Sequence, residues 1–370
     1  MATMGRVGIV GGGPGGLMLA RLLQRGGADV TVFERDVHAG ERPQGGSLDL
    51  HAETGQRAMR LAGLEAEFVA AARPEDQGDR LYDADGTLLF DRDGADDDRP
   101  EIDRTELRRI LLGSLAPRTV QWGAKVAAVK SADGGARIVT DGIAHAFDTV
   151  VGADGAWSRV RPLLTDARPA YQGVTLVELG FDDARHAHVD ALVGGGKMFA
   201  VGDNRVLIAQ RNGHGHIRSY AGLRMDEETS RAWAALPHDV VRAEALRAFT
   251  GWAPELTRLI GEGDFLAVRP LHALPIGLRW APQAGVTLIG DAAHLMSPFS
   301  GEGVNLALAD AVDLAEALMS ADRDAVAAFE ERMAVRAHEA AEGAAAGLES
   351  AFSREGAAPV LEHYRERAAA

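Results

Sequence analysis

The residues with the clearest chemical meaning form a glycine turn near the start of the chain. Gly11, Gly13 and Gly16 match the pattern G-x-G-x-x-G, between a short apolar run at 6–10 and a helical pattern that stops at 26–27. The first glycine allows a tight turn, the second lets a pyrophosphate approach the backbone, and the third lets helix and strand pack closely. Free N–H groups at the start of the helix favour phosphate. The turn therefore predicts a dinucleotide site.

An acidic residue follows at the position that such a site needs. Glu34 ends a second apolar run, 30–33, which completes a strand–helix–strand unit. A carboxylate there can accept hydrogen bonds from the hydroxyls of a ribose. These residues predict a parallel, doubly wound sheet, but they do not separate FAD from NAD.

Two later strands also end in carboxylates. Asp154 follows the apolar run 148–151, and Asp291 follows the run 285–289 and opens a glycine-rich loop and a helix. An open α/β sheet binds its ligand beyond the carboxyl ends of its strands, so both side chains are expected at one site. The backbone amides of 301–305 begin the last helix, and their dipoles favour the negative charge of a reduced flavin.

The order of these three motifs resembles the group A flavoprotein monooxygenases, which have the p-hydroxybenzoate hydroxylase fold. Within that family, segments 45–56 and 298–305 are most similar to the tetracycline-inactivating monooxygenases. The resemblance implies FAD as cofactor, NADPH or NADH as a transient electron donor, and O2. It also implies hydroxylation of an aromatic or polycyclic, polyketide- or tetracycline-like molecule through a C4a-hydroperoxyflavin. No side chain is expected to be catalytic, because the flavin carries the chemistry.

The resemblance also assigns residues to the two ligands. For the cofactor, it implies pyrophosphate contacts from the glycine turn, a ribose contact from Glu34, and contacts from the following residues: Arg35, Arg42, Asp49, Arg104, Asp154, Asp291, Pro298, Gly301, Gly303, Val304 and Asn305. For the substrate, it implies a pocket on a sheet that faces the flavin, lined by Glu178, Gln210, Arg211, His216, Tyr220 and Phe299. Taken without the resemblance, Arg104 and Asp49 read as a solvated helix start and a strand-end carboxylate. The pocket residues read equally well as ordinary sheet residues.

The predicted fold is α/β, with a Rossmann-like FAD-binding domain containing a mixed parallel sheet, an antiparallel-sheet substrate domain and a long C-terminal helix. The FAD-binding domain is predicted over 1–72, 100–165 and 270–320, and the substrate domain over 73–99 and 166–269. Short alternating runs separated by glycine turns indicate the antiparallel sheet. The alanine-rich segment 321–370 is predicted to form the C-terminal helix.

Composition excludes several classes of function. The chain of 370 residues contains no cysteine, so disulfides, iron–sulfur clusters and thiolate nucleophiles are ruled out. A net charge of −15 argues against nucleic acid as a partner and suits a monomer or weak homodimer. The absence of a long apolar stretch predicts a cytoplasmic protein with no membrane partner. The pairs His186/His188 and His214/His216 lack a third ligand, so no metal is expected.

Two other functions remain open from the residues. A flavin reductase or dehydrogenase could have the same fold, and a non-catalytic FAD-binding protein could have the same motifs.

Overall fold

The computed structural model describes residues 5–41, 45–95 and 97–369. It divides the chain into two compact units. Unit 1 consists of Met1–Ala71, Arg104–Ala170 and His272–Ala344, and unit 2 of Ala72–Asp103, Tyr171–Leu271 and Ala345–Ala370. The assignment of these segments to a flavin domain and a substrate domain stays a prediction.

The strands are short in unit 1 and longer in unit 2. In chain order they are β1 (Val7–Val10), β2 (Val30–Phe33), β3 (Ser47–Asp49), β4 (Gly78–Asp83), β5 (Leu88–Arg92), β6 (Glu101–Asp103), β7 (Val120–Gln121), β8 (Val126–Ala132), β9 (Gly135–Thr140), β10 (Ile143–Phe147), β11 (Thr149–Gly152), β12 (Ala170–Asp182), β13 (Gly196–Gly202), β14 (Arg205–Arg211), β15 (His216–Arg224), β16 (Asp264–Ala273) and β17 (Val286–Leu288).

The helices range from one turn to more than seven turns. They are α1 (Pro14–Arg25), α2 (Arg57–Ala62), α3 (Glu65–Ala71), α4 (Arg104–Gly113), α5 (Ala187–Val193), α6 (Glu227–Trp233), α7 (His238–Ala248), α8 (Pro254–Gly261), α9 (Asp291–His294), α10 (Gly303–Met319), α11 (Ala325–Ala351) and α12 (Ala358–Ala369). None of the described helices combines the length and the apolar character that crossing a membrane requires.

A parallel sheet forms the centre of unit 1. Its strand order is β17-β11-β1-β2-β7, and each pair is parallel, as in Val7 opposite both Val30 and Thr149. All four residues of β1 are buried, as expected for a strand covered on both faces. The predicted strand–helix–strand unit is confirmed as β1, α1 and β2. The carboxyl ends of β1, β11 and β17 therefore lie side by side.

An antiparallel meander, β8–β9–β10, is a separate sheet of unit 1. Ile143–Phe147 pairs along its whole length with β9 after a tight turn at Asp141 and Gly142.

Unit 2 is built on a seven-stranded sheet with the order β16-β12-β15-β14-β13-β4-β5. The predicted antiparallel pairing holds for β12–β15, β15–β14, β14–β13 and β4–β5, whereas β4 and β13 run parallel. One face of this sheet packs on α5, α7 and α8 through a buried core that includes Val177, Leu207, Ala221 and Phe249. The alternating side chains on the other face are half-buried, as in Ile208, Gln210 and Tyr220.

The predicted long C-terminal helix is confirmed as α11, which spans Ala325–Ala351. The segment 321–370 is not one helix, however. Gly356, with φ +70°, lies in the turn after α11, and the chain then forms α12. Within unit 2, Phe352 packs against Gly222, and Tyr364 of α12 packs against Phe90 and Phe199. The overall α/β class predicted from the sequence is confirmed.

Candidate functional site

The glycine turn between β1 and α1 is constrained by close backbone contacts. Gly11 has φ +109°, and a Cβ there would lie 2.2 Å from the carbonyl oxygen of Ala153. A Cβ on Gly16 would lie 2.2 Å from the carbonyl oxygen of Gly11. A Cβ on Gly13 would instead meet no atom of the described part of the chain within 4 Å. Packing therefore requires the first and third glycines, while the second borders open space.

Glu34 is buried beneath this turn. Its Oε2 accepts a hydrogen bond from Gly12 N at 2.7 Å, and its Oε1 accepts one from Asp36 N at 3.0 Å. These bonds fix the carboxylate against the turn, where it keeps further acceptor capacity for a ribose. The next residue, Arg35, is exposed.

Arg108 of α4 holds the same turn from the other side, and sequence reasoning missed it. The side chain is 4% exposed, donates to the carbonyls of Gly12 (3.3 Å) and Ala39 (2.8 Å), and pairs with Asp36 at 3.3 Å. Its guanidinium also lies 5.5 Å from the ring centre of Trp122. The only sequence signal was an arginine at a helical position one turn after Arg104.

The Asp154 segment lies directly beside the glycine turn. Ala153 N donates to Val10 O at 2.8 Å, which continues the pairing of β11 with β1. The Oδ2 of Asp154 accepts from Arg159 N at 2.6 Å. Burial raises the pKa of this carboxyl, against the lowering effect of Ser158 and the Arg159 amide.

The Asp291 segment joins the same sheet edge on the far side of Asp154. Ile289 N donates to Gly152 O at 2.9 Å, and Arg161 Nη1 donates to Ala292 O at 3.0 Å. Although the Asp291 side chain is exposed to solvent, the protein atoms crowded around it raise its pKa by desolvation, and His294 and Arg104 oppose that shift.

Helix α10 connects the first motif with the last. A Cβ on Gly15 would lie 3.1 Å from Ala307 O, and a Cβ on Gly290 would lie 3.0 Å from Ala307 Cβ. Both glycines thus allow their segments to approach the same residue of α10. The glycine turn, the Asp154 segment and the Gly290–Asp291 segment therefore converge at one edge of the parallel sheet.

A buried ionic cluster fixes the Gly290–Asp291 turn. Asp310 accepts hydrogen bonds from Gly290 N (2.9 Å), His294 Nε2 (2.6 Å) and Arg336 Nη2 (2.9 Å). Burial opposes charge on both partners, but their pairing prevails: it raises the pKa of His294 and lowers that of Asp310. The cluster was not predicted. Its signal in the sequence is an acidic residue inside the alanine-rich apolar pattern of α10.

The loop before α10 is joined to the segment after β3 by Asn305. Its Oδ1 accepts from His51 N at 2.9 Å, and its Nδ2 donates to Asp49 O at 3.0 Å. A Cβ on Gly301 would lie 3.6 Å from Asp49 Oδ1. The predicted flavin-ring residues Asp49, Gly301 and Asn305 are thus neighbours.

The start of α10 is open, with Glu302 at the N-cap position. Its first turn contains no acidic residue, and no side chain caps it. The same holds for α1, which begins after Gly13. Both helices therefore present free N–H groups and positive dipole ends, which favour anions.

Two predicted arginines remain. Arg104 is exposed at the start of α4, its N donates to Gly46 O at 3.2 Å, and its Cδ would lie 3.2 Å from a Cβ on Gly45. Arg42 lies outside the described residues.

The unit 1 cradle fits an FAD molecule. Among the described residues, no atom lies within 4 Å of a Cβ placed on Gly13, as a pyrophosphate site requires. Asp154 Oδ1 and Ser300 Oγ are buried and have no hydrogen-bond partner among the described residues. Buried polar atoms normally have partners, so these two are suited to a polar ligand. Gly303 likewise borders open space.

The predicted substrate residues separate into groups. Glu178, Gln210, His216 and Tyr220 lie on one face of the unit 2 sheet, opposite the face that packs on α5, α7 and α8. Arg211 lies on the opposite face, where its guanidinium contacts Gly194 O and Asp190 beside α5. Adjacent strand residues point to opposite faces, so Arg211 cannot share a pocket with Gln210. Phe299 lies in unit 1, in the short 3-10 turn Pro298–Ser300.

No cluster of three or more metal-ligating side chains occurs among the residues that the structure describes.

Comparison with known proteins gives a consistent result. The family model described as "FAD binding domain" matches residues 4–345. "Monooxygenase asqM" of Emericella nidulans is 32% identical over 85% of this chain and 83% of its own length. The structure of Klebsiella pneumoniae HpxO with FAD and uric acid has a TM-score of 0.80 at 21% identity, covering 98% of this chain and 92% of that one. The tetracycline destructase Tet(55) has a TM-score of 0.77 at 20% identity, covering 99% and 95%.

Proposed function

The chain belongs to the FAD-binding domain family and is an FAD-dependent monooxygenase, and we propose that it uses NADPH or NADH and O2 to hydroxylate an aromatic or polycyclic small molecule. The observation that carries the proposal is the convergence of three distant segments at one edge of the parallel sheet in unit 1. Their glycines allow backbone approaches that side chains would prevent, as in the 2.2 Å contact of Gly11 with Ala153.

In this proposal, the chain holds the two halves of the cofactor with different groups. Gly13 and the start of α1 bind the pyrophosphate, and Glu34 accepts from the adenosine ribose. Asp291 accepts from the ribityl hydroxyls, and Asp154 supports both the flavin site and the transient nicotinamide cofactor. Arg104 and Asp49 lie beside the ribityl and ring side.

The start of α10 stabilises negative charge at the ring. When bound, FAD supplies the transfer of electrons from the nicotinamide and the activation of oxygen. Backbone N–H groups from Gly303 to Asn305 provide preorganised donors that need no proton transfer, whereas the N–H of Gly301 already donates to Pro298 O. Asn305 is completely buried and keeps this loop in place through its bonds to His51 and Asp49.

We place the substrate on the face of the unit 2 sheet opposite α5, α7 and α8, with Glu178, Gln210 and Tyr220. The tetracycline destructase Tet(55) is 20% identical to this chain, which does not single out tetracyclines as substrates. A polycyclic substrate is therefore one member of the wider proposed class of aromatic and polycyclic molecules.

The proposal is tested with purified protein and a panel of aromatic and polyketide compounds. NADPH or NADH should bleach the visible flavin absorbance faster in the presence of a substrate, and ¹⁸O from oxygen gas should enter the product. Flavin reduction without oxygen incorporation would instead support a reductase. A yellow protein that neither nicotinamide reduces would support a non-catalytic binding protein.

A further inference from the structure

Resting on the proposed function, we propose that His51, held between Asp49 and Glu302, takes up the solvent proton that each turnover consumes. The proposed reaction converts substrate C–H, O2, the reduced nicotinamide and one proton into C–OH, water and the oxidised nicotinamide. The nicotinamide supplies two electrons and one hydrogen as hydride, so the second hydrogen of the water comes from solvent. A group that exchanges protons with solvent is therefore needed beside the cofactor.

The ring of His51 lies between two carboxylates of unit 1. Its Nε2 is 3.3 Å from Asp49 Oδ2, and its Nδ1 is 3.6 Å from Glu302 Oε1. Ionised carboxylates only accept hydrogen bonds, so a ring that serves both must carry a proton on each nitrogen. The contact with Asp49 is a hydrogen bond, whereas the distance to Glu302 is too long for one. His51 thus has one nitrogen engaged and a second placed to receive a proton.

Backbone bonds on both sides hold this ring in place. His51 N donates to Asn305 Oδ1 at 2.9 Å, and His51 O accepts from Gln56 N at 3.0 Å, at the end of the short helical turn Ala52–Gln56. Asn305 Nδ2 also donates to Asp49 O at 3.0 Å. The ring therefore keeps its position between the end of β3 and the start of α10, where the predicted flavin-ring residues lie.

Glu302 connects the ring with solvent. The side chain of Glu302 is 32% exposed, whereas that of His51 is 13% exposed. Among the described residues, His51 is the only charged partner of Glu302. A carboxylate in contact with water can accept a proton and pass it to a nitrogen beside it. The arrangement therefore provides a path from water through Glu302 to His51 Nδ1.

Charge balance gives His51 a reason to bind the proton when the cofactor is reduced. Hydride transfer brings negative charge to a site that already holds the carboxylates of Asp49 and Glu302. Like charges close together raise the free energy of the site, and a proton bound between them lowers it. His51 is therefore expected to gain the proton on reduction and to release it during the oxidative half of the reaction, where it becomes part of the water.

The other charged groups around this segment do not take this role. Glu53 is exposed to solvent, and Arg60 donates to Ala52 O at 3.0 Å. Arg57 lies 3.9 Å from Asp313 and 3.7 Å from Glu316 on α10. The two arginines stay charged at all working pH values and cannot exchange protons.

The test is the midpoint potential of the FAD-loaded full chain, measured by spectroelectrochemistry at several pH values from about 6 to 9. Each proton bound on reduction changes the equilibrium constant of reduction tenfold per pH unit, which is about 30 mV for a two-electron couple. His51→Gln keeps a side chain that can form hydrogen bonds but cannot exchange protons. The wild-type plot of potential against pH should be steeper than that of His51→Gln by about 30 mV per pH unit, up to a breakpoint.

Glu302→Gln is an independent second variant, which also decides the test if His51→Gln fails to fold or to retain FAD. It preserves the size of the side chain and removes the negative charge that faces His51 Nδ1. Proton binding should become about tenfold weaker, so the breakpoint should move about one unit to lower pH. His338→Gln is the matched control, because His338 of α11 is an exposed histidine 3.5 Å from Glu342. It should leave the plot unchanged.

Two results would overturn the proposal: equal slopes for wild type and His51→Gln over the whole pH range, or a Glu302→Gln plot that superimposes on that of wild type. Electrochemical reduction requires neither nicotinamide nor substrate, so these slopes do not depend on the proposed function. Failure of the proposed function would appear separately, as no reduction by either nicotinamide or as reduction without ¹⁸O incorporation.

Discussion

Replacing Arg108 by methionine should strongly destabilise unit 1. The substitution preserves the apolar length of the side chain but leaves Asp36 and Glu34, both about 5% exposed, without their cation. It also removes the donors to the carbonyls of Gly12 and Ala39. Removing one partner of a buried ion pair typically costs about 3–5 kcal/mol of unfolding free energy.

The assay is urea denaturation of the FAD-free protein, followed by circular dichroism, with FAD affinity measured in parallel. Arg109→Met is the control, since Arg109 is the next residue on α4, its side chain is 66% exposed, and it pairs with Glu106. Its effect should stay within about 0.5 kcal/mol. Asp36→Asn combined with Arg108→Met should cost less than the sum of the two single changes. Equal midpoints for the Arg108 and Arg109 variants would refute the anchoring role.

Three further predictions concern the cradle. Gly16→Ala should lower stability by about 1–3 kcal/mol through overpacking, whereas Gly13→Ala should fold with normal stability and bind FAD more weakly. Asp291→Ala should weaken flavin retention, measured by the absorbance that remains after gel filtration. Asp310→Asn should lower stability most between about pH 4 and 6.5, measured by thermal unfolding at several pH values. Because folding raises the pKa of His294, protonated His294 stabilises the folded state fully below its unfolded pKa near 6.5. This stabilisation is lost as the pH rises through the folded pKa. Because folding lowers the pKa of Asp310, ionised Asp310 stabilises the folded state fully above its unfolded pKa of 3.8. This stabilisation is lost as the pH falls through the folded pKa.

Each of these predictions can fail clearly. Gly13→Ala with unchanged FAD affinity would show that the open space is not the phosphate site. Full retention of flavin by Asp291→Ala would contradict the assigned role of Asp291. A stability difference for Asp310→Asn that is constant across pH would show that the ionisation of His294 is not coupled to folding.

Local sequence patterns predicted the glycine turn and the ends of β1, β2 and β11. Each is encoded by a short apolar run followed by residues with special backbone freedom or charge. The same reasoning did not find α5, α8 or β16. The two helices span only seven and eight residues, and the side chains of β16 do not alternate regularly between buried and exposed.

The missed site residues act over long distances in the sequence. Arg108 supports Gly12 from 96 positions away, and His51 meets Asn305 from 254 positions away. No local signal encodes such a pairing. The placement of Arg211 in the same pocket as Gln210 could have been excluded from the sequence, because adjacent residues of a strand point to opposite faces.

The most direct test of the three-segment cradle is titration of the FAD-free chain with FAD and, separately, with FMN. The cradle predicts one FAD per chain and FMN binding weaker by about 100-fold or more, because FMN lacks the ribose that Glu34 would hold and the pyrophosphate beside Gly13. Binding of FMN as tightly as FAD, or no binding of either flavin by the folded chain, would contradict it.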